Sequence, residues 1–232
     1  FADVALETPQ LKLHIQGRMP LQASMGLRVA LGGDLGGLVD VWPWLEAAAG
    51  PFELQMLLEG SLESPTFSGV GQLNDATMRL QHFPEQFEAL TTGVRLSGRT
   101  IQFTSGSASV GSGNIEFGGD IDLRQQQATT VNLRTYLRSI RLHPSADLNM
   151  LLSGELMLQG ETDNLELHGN IDLESLMYTA NLDLERLIQS SPKSLRVPTF
   201  EPGEALNLKV NVRADDNVVV SNNVVEAEFQ TN

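Results

Sequence analysis

The side chains that could act as nucleophiles, proton-transfer groups or metal ligands are scattered along the chain. The four histidines are His14, His82, His143 and His168. No two of them have the i, i+4 spacing of a helical zinc site, and none belongs to an alternating cluster of ligands on a strand. The sequence therefore predicts no metal centre and no histidine-based catalysis.

Paired carboxylates, which can perform acid–base chemistry, occur only beside predicted turns. The pairs are Asp120 with Asp122, Asp172 with Glu174, and Asp215 with Asp216. Acidic residues, Asp above all, are favoured there because their side chains accept hydrogen bonds from nearby backbone N–H groups. Calcium binding at residues 215–217 is an alternative to a plain turn, and the plain turn is the preferred interpretation.

A stretch rich in serine and glycine, residues 105–113, contains hydroxyl groups at regular spacing. These serines are Ser105, Ser107, Ser109 and Ser112. They lack the strand–turn–helix context of a nucleophile elbow. The Gly111-Ser-Gly113 sequence lacks the third glycine and the helix of a dinucleotide loop. We therefore predict a protein that is not an enzyme and that has no cofactor.

Composition excludes further classes of function. The 232 residues include no cysteine, 15 Lys plus Arg and 29 Asp plus Glu, for a formal charge of −14. Without cysteine there is no disulfide framework, thiolate nucleophile or Cys-ligated zinc. Cations this sparse cannot displace counterions from a polyanion, so nucleic acid is excluded as a partner and anionic membrane surfaces are disfavoured.

The chain begins without Met and shows neither a signal peptide nor an apolar run of about eighteen residues, the minimum for a membrane span. We therefore expect one continuous soluble segment, residues 1–232, of a longer protein whose membrane anchor lies outside it.

The dominant pattern is an alternation of apolar and polar residues with a period of two. It recurs about sixteen times and predicts an all-β protein whose strands each have one apolar and one polar face. Parity places these residues on the apolar face: Leu11, Leu13, Ile15, Leu27, Val29, Leu31, Leu54, Met56, Leu58, Leu96, Ile101, Phe103, Ile115, Phe117, Ile121, Leu123, Val131, Leu133, Leu156, Leu158, Leu165, Leu167, Ile171, Leu173, Leu206, Leu208, Val210, Val212, Val218 and Val220. With only 13 aromatic residues in the chain, this face is mainly aliphatic.

Three predicted hairpins set the strand connections. Residues that face each other across an antiparallel pair lie on the same face, so apolar residues should pair across each turn. The predicted pairs are Phe117 with Ile121, Leu167 with Ile171, and Val212 with Val220. These turns predict a mostly antiparallel sheet that meanders.

Glycines recur nine residues apart, each pair preceded by an aliphatic residue two positions before its first glycine. The pairs are Gly17 with Gly26, Gly60 with Gly69, and Gly160 with Gly169. This spacing predicts stacked strand modules that begin near residues 11, 54 and 154 and form an elongated sheet. Chance recurrence of turn glycines is the alternative.

Three stretches depart from the alternation and predict short helical insertions. They are Val39–Gly50, Pro84–Leu90 and Leu182–Ile188. Such insertions could cover an open end or edge of the sheet. Both tryptophans, Trp42 and Trp44, lie in the first insertion, which makes it a candidate partner contact or plug. The alternative is that they anchor a helix to the core.

The apolar face must be covered by a second sheet, by helices or by something other than protein. Predicted helical residues are too few to cover it. A sheet curled into a trough would present this face to hydrocarbon, whose burial is favourable by about 25 cal/mol per Å². A closed sandwich or β-helix core is the alternative that periodicity does not separate from a trough.

The cadence of Leu58-Glu-Gly60-Ser-Leu-Glu-Ser-Pro65-Thr-Phe67-Ser-Gly69 resembles the TamB/AsmA-like superfamily of Gram-negative envelope proteins. So do Gly169-Asn-Ile-Asp-Leu173 and the run from Leu206 through Val218 to Asn223, which is similar to the region leading into the conserved C-terminal domain of TamB proteins. The resemblance spans nearly the whole chain.

This resemblance implies a U-shaped sheet, called a β-taco, whose apolar groove carries phospholipid acyl chains across the periplasm between inner and outer membrane. It also implies an N-terminal helix in the inner membrane, outside this chain, and a BamA-like outer-membrane partner such as TamA. The chain would then be an internal or near-C-terminal section of the conduit.

Other functions remain as alternatives. A scaffold could feed strands of outer-membrane proteins or autotransporters to a BamA-like insertase through its sheet edge. A carbohydrate-binding sandwich would need exposed aromatic platforms, for which this chain has few aromatics. A β-helix lyase would need acids clustered on consecutive strands, which the sequence lacks.

Overall fold

The alternating segments form strands of a single sheet. The computed structural model describes residues 2–18, 25–42, 44–61, 65–81, 83–123, 129–179, 206–214, 218–221 and 226–229. These include fifteen strands and one short 3-10 helix, Leu35–Val41. The strands are β1 Ala2–Glu7, β2 Leu11–Arg18, β3 Met25–Asp34, β4 Leu45–Ala49, β5 Pro51–Gly60, β6 Pro65–Leu80, β7 Phe87–Gly98, β8 Thr100–Val110, β9 Gly113–Asp122, β10 Thr130–Ser145, β11 Leu148–Glu161, β12 Asn164–Tyr178, β13 Leu206–Ala214, β14 Val218–Ser221 and β15 Glu226–Phe229.

The sheet is open, curled and mostly antiparallel. Its order follows the chain from β1 to β12 apart from β4, which pairs with β6 beyond the end of β5. β13 and β14 lie one after the other along the same edge of β12 and run parallel to it, and β15 pairs with β14. The prediction of an all-β, mostly antiparallel trough is confirmed, and the described residues form one sheet rather than a closed sandwich.

Register keeps the apolar residues on one face from β1 to β13. One row of directly paired positions crosses twelve strands: Leu6, Leu13, Leu31, Leu54, Gly71, Val94, Phe103, Gly119, Leu133, Leu158, Leu167 and Leu208. At a strand spacing of about 4.8 Å, this row is about 50 Å long. A parallel row through Ile15 and Val131 crosses the same strands.

Two predicted hairpins are wrong because their glycines lie inside long strands. β9 continues through Gly119, and β12 continues through Gly169. Phe117 pairs with Gly106 and Thr135 instead of Ile121. Leu167 likewise pairs with Leu158 and Leu208, not with Ile171.

The conformation of Gly119 explains this error. Its φ of +140° is one that L side chains rarely adopt, and a β-carbon there would collide with the carbonyl oxygen of Asn132 on β10. Glycine inside a strand marks a bend or a close approach of two backbones. The glycine therefore allows the sheet to curl, whereas the sequence suggested that it turned the chain.

The third hairpin is wrong for a different reason. Val212 pairs with Ile171 and Val220 pairs with Tyr178, because β13 and β14 both add to β12. Residues 215–217, the predicted turn and alternative calcium site, lie outside the described residues.

The predicted helical insertions are largely wrong. Val39–Gly50 contains the end of the 3-10 helix and then β4, whose alanine run pairs with β6. Pro84–Leu90 leads directly into β7. In both cases strand pairing overrides a weak local helical preference. Leu182–Ile188 lies outside the described residues.

Candidate functional site: an aliphatic face and its aromatic centre

The candidate site is the apolar face of the sheet. Strand pairing places the predicted residues from Leu11 to Val212 on this face, with Leu123 immediately after the end of β9. Val218 and Val220 pair with Leu176 and Tyr178, and their side chains lie outside what is described. The assignment of these residues to lipid binding remains a prediction.

Exposure differs between the two faces. Along β2, half-buried apolar residues alternate with exposed polar ones, and β5 and β10 follow the same pattern over most of their length. The centre of the apolar face is the least accessible part: Ile140 on β10 is 2% exposed, whereas Leu208 on β13 is 52% exposed. The face is therefore deep near its middle and open at its C-terminal end.

Aromatic side chains gather at this deep centre. Phe83 and Phe87 stack with ring centroids 5.2 Å apart, and Phe103 meets Phe117 edge to face at 6.5 Å. A pocket of about 410 Å³ lies beside them. It is lined by Phe83, Phe87, Ile115, Phe117, Thr135, Leu137, Ile140, Leu142, Leu152, Leu156 and Ile171. Thr135 is the one polar residue in this lining.

A glycine on the neighbouring strand leaves room for one of these rings. Gly106 on β8 pairs with Phe117 on β9, and a β-carbon at Gly106 would collide with the Phe117 ring. The ring therefore lies directly over the glycine, an arrangement that compensates for the missing side chain in a sheet. A glycine opposite a bulky residue lets large side chains converge on one face without overpacking.

Sequence parity alone misses part of this centre. Ile140 and Leu142 follow a register shift between Leu137 and Ile140, where Ser139 has a φ of +47°. The extra residue of a bulge breaks the two-residue alternation. Parity also misses Phe87, which lies inside the predicted helix Pro84–Leu90, and Phe83, which immediately precedes it.

The connection between β6 and β7 reaches across the end of the short β8–β9 hairpin to β10. The Glu85 carboxylate accepts a hydrogen bond from the backbone N–H of His143 at 3.0 Å, and it lies 2.8 Å from His143 Nδ1. Phe83 packs against the buried cluster of Val110, Ile115 and Ile140. This segment therefore holds one end of the apolar pocket in place. Through Glu85 it also accepts a hydrogen bond from the His143 N–H group at the edge of β10.

The opposite face carries the charges. Its ion pairs join neighbouring strands, as in Arg134 Nε with Glu155 Oε1 at 3.1 Å and Lys209 Nζ with Glu166 Oε1 at 2.8 Å. The hydrogen bond and charge of Lys209 lower the pKa of Glu166 below its ordinary value. Exposed pairs of this kind contribute little stability. They keep this face hydrated.

Several depressions are larger than the apolar pocket, and two of them, of about 790 and 680 Å³, lie mainly on the polar face. The first is lined by hydroxyl and charged groups of β8 to β11, including Ser107, Glu116 and Arg134. The second lies over β2 to β7 and includes Arg28 and Arg95. Both are shallow openings of the hydrated surface.

The residues considered first for chemistry lie apart from one another. His14 Nε2 lies 2.9 Å from Asp3 Oδ1, His143 contacts Glu85, His168 lies on β12, and His82 is outside the described ranges. Glu174 instead accepts hydrogen bonds from Ser139 and Ser153 across adjacent strands. Within the described ranges, no three His, Asp or Glu side chains are close enough to hold a metal ion.

The only helix in the described part of the chain is the seven-residue 3-10 segment, and a segment of that length is too short to span a bilayer.

Comparison with protein-family models gives one match, to the TamB C-terminal domain over residues 96–232. Searches of curated proteins and of solved structures each returned no match. The matched region covers more than half of the chain and runs from the end of β7 through β15. It includes two of the three segments that carried the resemblance, 169–173 and 206–223, and leaves 58–69 outside. This chain therefore belongs to the TamB family, and residues 96–232 match its C-terminal domain.

Proposed function

We propose that this chain is a non-enzymatic section of a periplasmic conduit that moves phospholipids between the inner and outer membranes and so supports outer-membrane biogenesis. The observation that carries this proposal is the apolar face, which a continuous row of directly paired positions crosses from β1 to β13. Phospholipid acyl chains would lie on this face, and their head groups would stay at the hydrated lips of the trough.

Physical chemistry supports movement along such a face. Each buried CH₂ group contributes about 0.8 kcal/mol, and dispersion contacts are non-directional, so an acyl chain gains similar energy at successive positions. One leaflet of a bilayer holds about 15 Å of hydrocarbon, half of a core about 30 Å thick. A face about 50 Å long can therefore hold several acyl chains in succession.

Membership of the TamB family supports the cellular setting. TamB acts in the translocation and assembly module, with a TamA-like partner, as a periplasmic part of an envelope protein. In this proposal the inner-membrane anchor belongs to another part of the protein, and TamA or a related BamA-like protein receives the outer-membrane end of the conduit.

Site-specific photo-crosslinking in cells tests this function on two adjacent positions. Leu133 is half-buried on the apolar face between Gly119 and Leu158, whereas Arg134 is exposed on the polar face and bonded to Glu155. A photoreactive residue at Leu133 is expected to give phospholipid adducts that are at least tenfold more abundant than those at Arg134. Equal labelling at the two positions, or no lipid adduct at Leu133, would contradict a lipid groove.

A second function, assembly of outer-membrane proteins or autotransporters with a BamA-like partner, is favoured by one observation. Among the described strands β13 pairs only with β12, so its other edge, from Leu206 to Arg213, offers backbone groups to an added strand. This function would be supported over the conduit by crosslinks from Asn211 to client proteins, together with unchanged assembly of outer-membrane proteins after Leu133→Asp.

A further inference from the structure

The two tryptophans of the chain lie together on the surface. Trp42 and Trp44 stack with ring centroids 6.0 Å apart and are 36% and 53% exposed, and the adjacent Val41 is 63% exposed. No other stretch of four residues in the described chain exposes three large apolar side chains. We call Val41, Trp42 and Trp44 the tryptophan knob. Exposed apolar side chains that lie together, unlike ones scattered singly, make this surface a candidate for interaction.

The backbone on both sides of the knob is firmly held. The Asp34 carboxylate accepts hydrogen bonds from Gly36 N at 2.8 Å and from Gly50 N at 3.1 Å, which ties the start of the excursion to its end. Leu45 is 4% exposed, and Gln81 N donates to the carbonyl oxygen of Trp44 at 3.0 Å. The loop is therefore anchored at both ends. Within it Leu45 is buried, whereas the two indole rings remain exposed.

The position of the knob in the sheet is also informative. It lies in the connection from β3 to β5. This connection and the β6–β7 connection are on the same side of the sheet, where the strands end, and this side forms one lip of the trough. The flanking residues Asp40 and Glu46 are acidic and exposed, and they outnumber the one cation on the paired strand β6, Arg79, which lies opposite Ala47. The charges around the knob therefore disfavour an anionic surface.

Indole combines a large apolar ring with one N–H donor, and it favours the boundary between lipid head groups and acyl chains. We propose that the tryptophan knob contacts the interfacial region of a zwitterionic phospholipid bilayer at one lip of the sheet. Neutral lipid fits both the apolar rings and the acidic flanks. This contact is separate from the groove and does not depend on lipid being carried there.

Intrinsic fluorescence of the full 232-residue chain tests this directly, because the knob holds its only tryptophans. Addition of phosphatidylcholine vesicles is expected to shift the emission to shorter wavelength. Phosphatidylcholine brominated in its acyl chains should quench it. Vesicles that contain phosphatidylserine should bind more weakly at low salt, because the flanking acids repel them.

Vesicle flotation with two variants supplies the matched comparison. Trp42→Ala with Trp44→Ala is expected to reduce flotation with phosphatidylcholine by about tenfold or more, because two interfacial rings are removed. Val70→Ser, which removes an equally exposed apolar residue from the polar face, should leave it unchanged. Far-UV circular dichroism checks that both variants keep the sheet.

Three results would overturn the proposal. These are unchanged emission with phosphatidylcholine, stronger binding to phosphatidylserine vesicles, or an emission shift that follows protein concentration and not lipid concentration. The last result would identify the knob as a contact between proteins. If the parent chain does not bind vesicles but still gives lipid adducts at Leu133, the knob alone is rejected. If it binds vesicles but gives no lipid adduct at Leu133, the groove alone is rejected.

Discussion

Replacement of two adjacent glycines by alanine separates a strand from a turn at residues 118–120. Gly119 has a φ of +140°, and a β-carbon there would meet the Asn132 carbonyl oxygen and lie 2.9 Å from Leu133 Cα. A β-carbon at Gly118 would have one neighbour within 4 Å, the carbonyl oxygen of Phe103 at 3.6 Å, which is an ordinary contact. Gly119→Ala should therefore destabilise the sheet, and Gly118→Ala should not.

The size of the effect follows from these contacts. Holding alanine in this region of φ costs about 1–3 kcal/mol, and moving β9 away from β10 to relieve the collision weakens at least one backbone hydrogen bond, worth about 1 kcal/mol. The expected loss of unfolding free energy for Gly119→Ala is therefore about 2–4 kcal/mol. Gly118→Ala should be neutral or stabilising by up to about 1 kcal/mol, because alanine has less chain entropy to lose.

Urea denaturation followed by circular dichroism measures both values. For a chain of this length the loss at Gly119 corresponds to a fall in Tm of about 5–15 °C. In a three-residue hairpin, the two glycines would instead share the turn. Equal effects at the two positions, or a larger effect at Gly118, would refute a continuous β9 and the curl attributed to Gly119.

Two further predictions concern the deep centre and the last strands. Ile140→Ala should lower the unfolding free energy by about 2–5 kcal/mol in urea denaturation, because it leaves a cavity at a side chain that is 2% exposed. Leu208→Ala, at the open end of the face, should cost less than about 1 kcal/mol. Similar losses for the two variants would argue against a deep centre. Lys209 lowers the folded-state pKa of Glu166 below its ordinary value of 4.5. The small stabilisation that this ion pair adds between β13 and β12 is therefore present above pH 4.5 and is lost as pH falls through the lowered pKa. Hydrogen exchange of β13 amides, corrected for the intrinsic pH dependence, should show less protection below pH 4.5 in the parent chain and no such change in Glu166→Gln.

The faces of the strands were predictable from sequence because side-chain parity does not depend on which strands pair. Leu133 must share a face with Val131 wherever its neighbours lie. The turns were less predictable, since a glycine such as Gly169 can either reverse a chain or let a strand bend. Local sequence does not distinguish these outcomes, because the choice depends on the strand that packs alongside.

The deep centre was only partly predictable for a related reason. Phe117 follows the alternation and was placed correctly on the apolar face, but Ile140 follows a bulge that shifts the parity. Phe83 reaches the centre because Glu85 bonds to His143, a contact between residues 58 positions apart. Contacts between such distant residues leave no periodic signal.

The most direct test of the conduit is an electron cryo-microscopy map of the protein extracted from its native membranes without exchange into detergent. Elongated, hydrocarbon-like density is expected along the apolar face, both beside Leu133 and at the pocket that Phe83 and Phe117 line. No such density is expected on the polar face beside Arg134. A layer of protein side chains that fills the apolar face and leaves no room for acyl chains would contradict a lipid conduit.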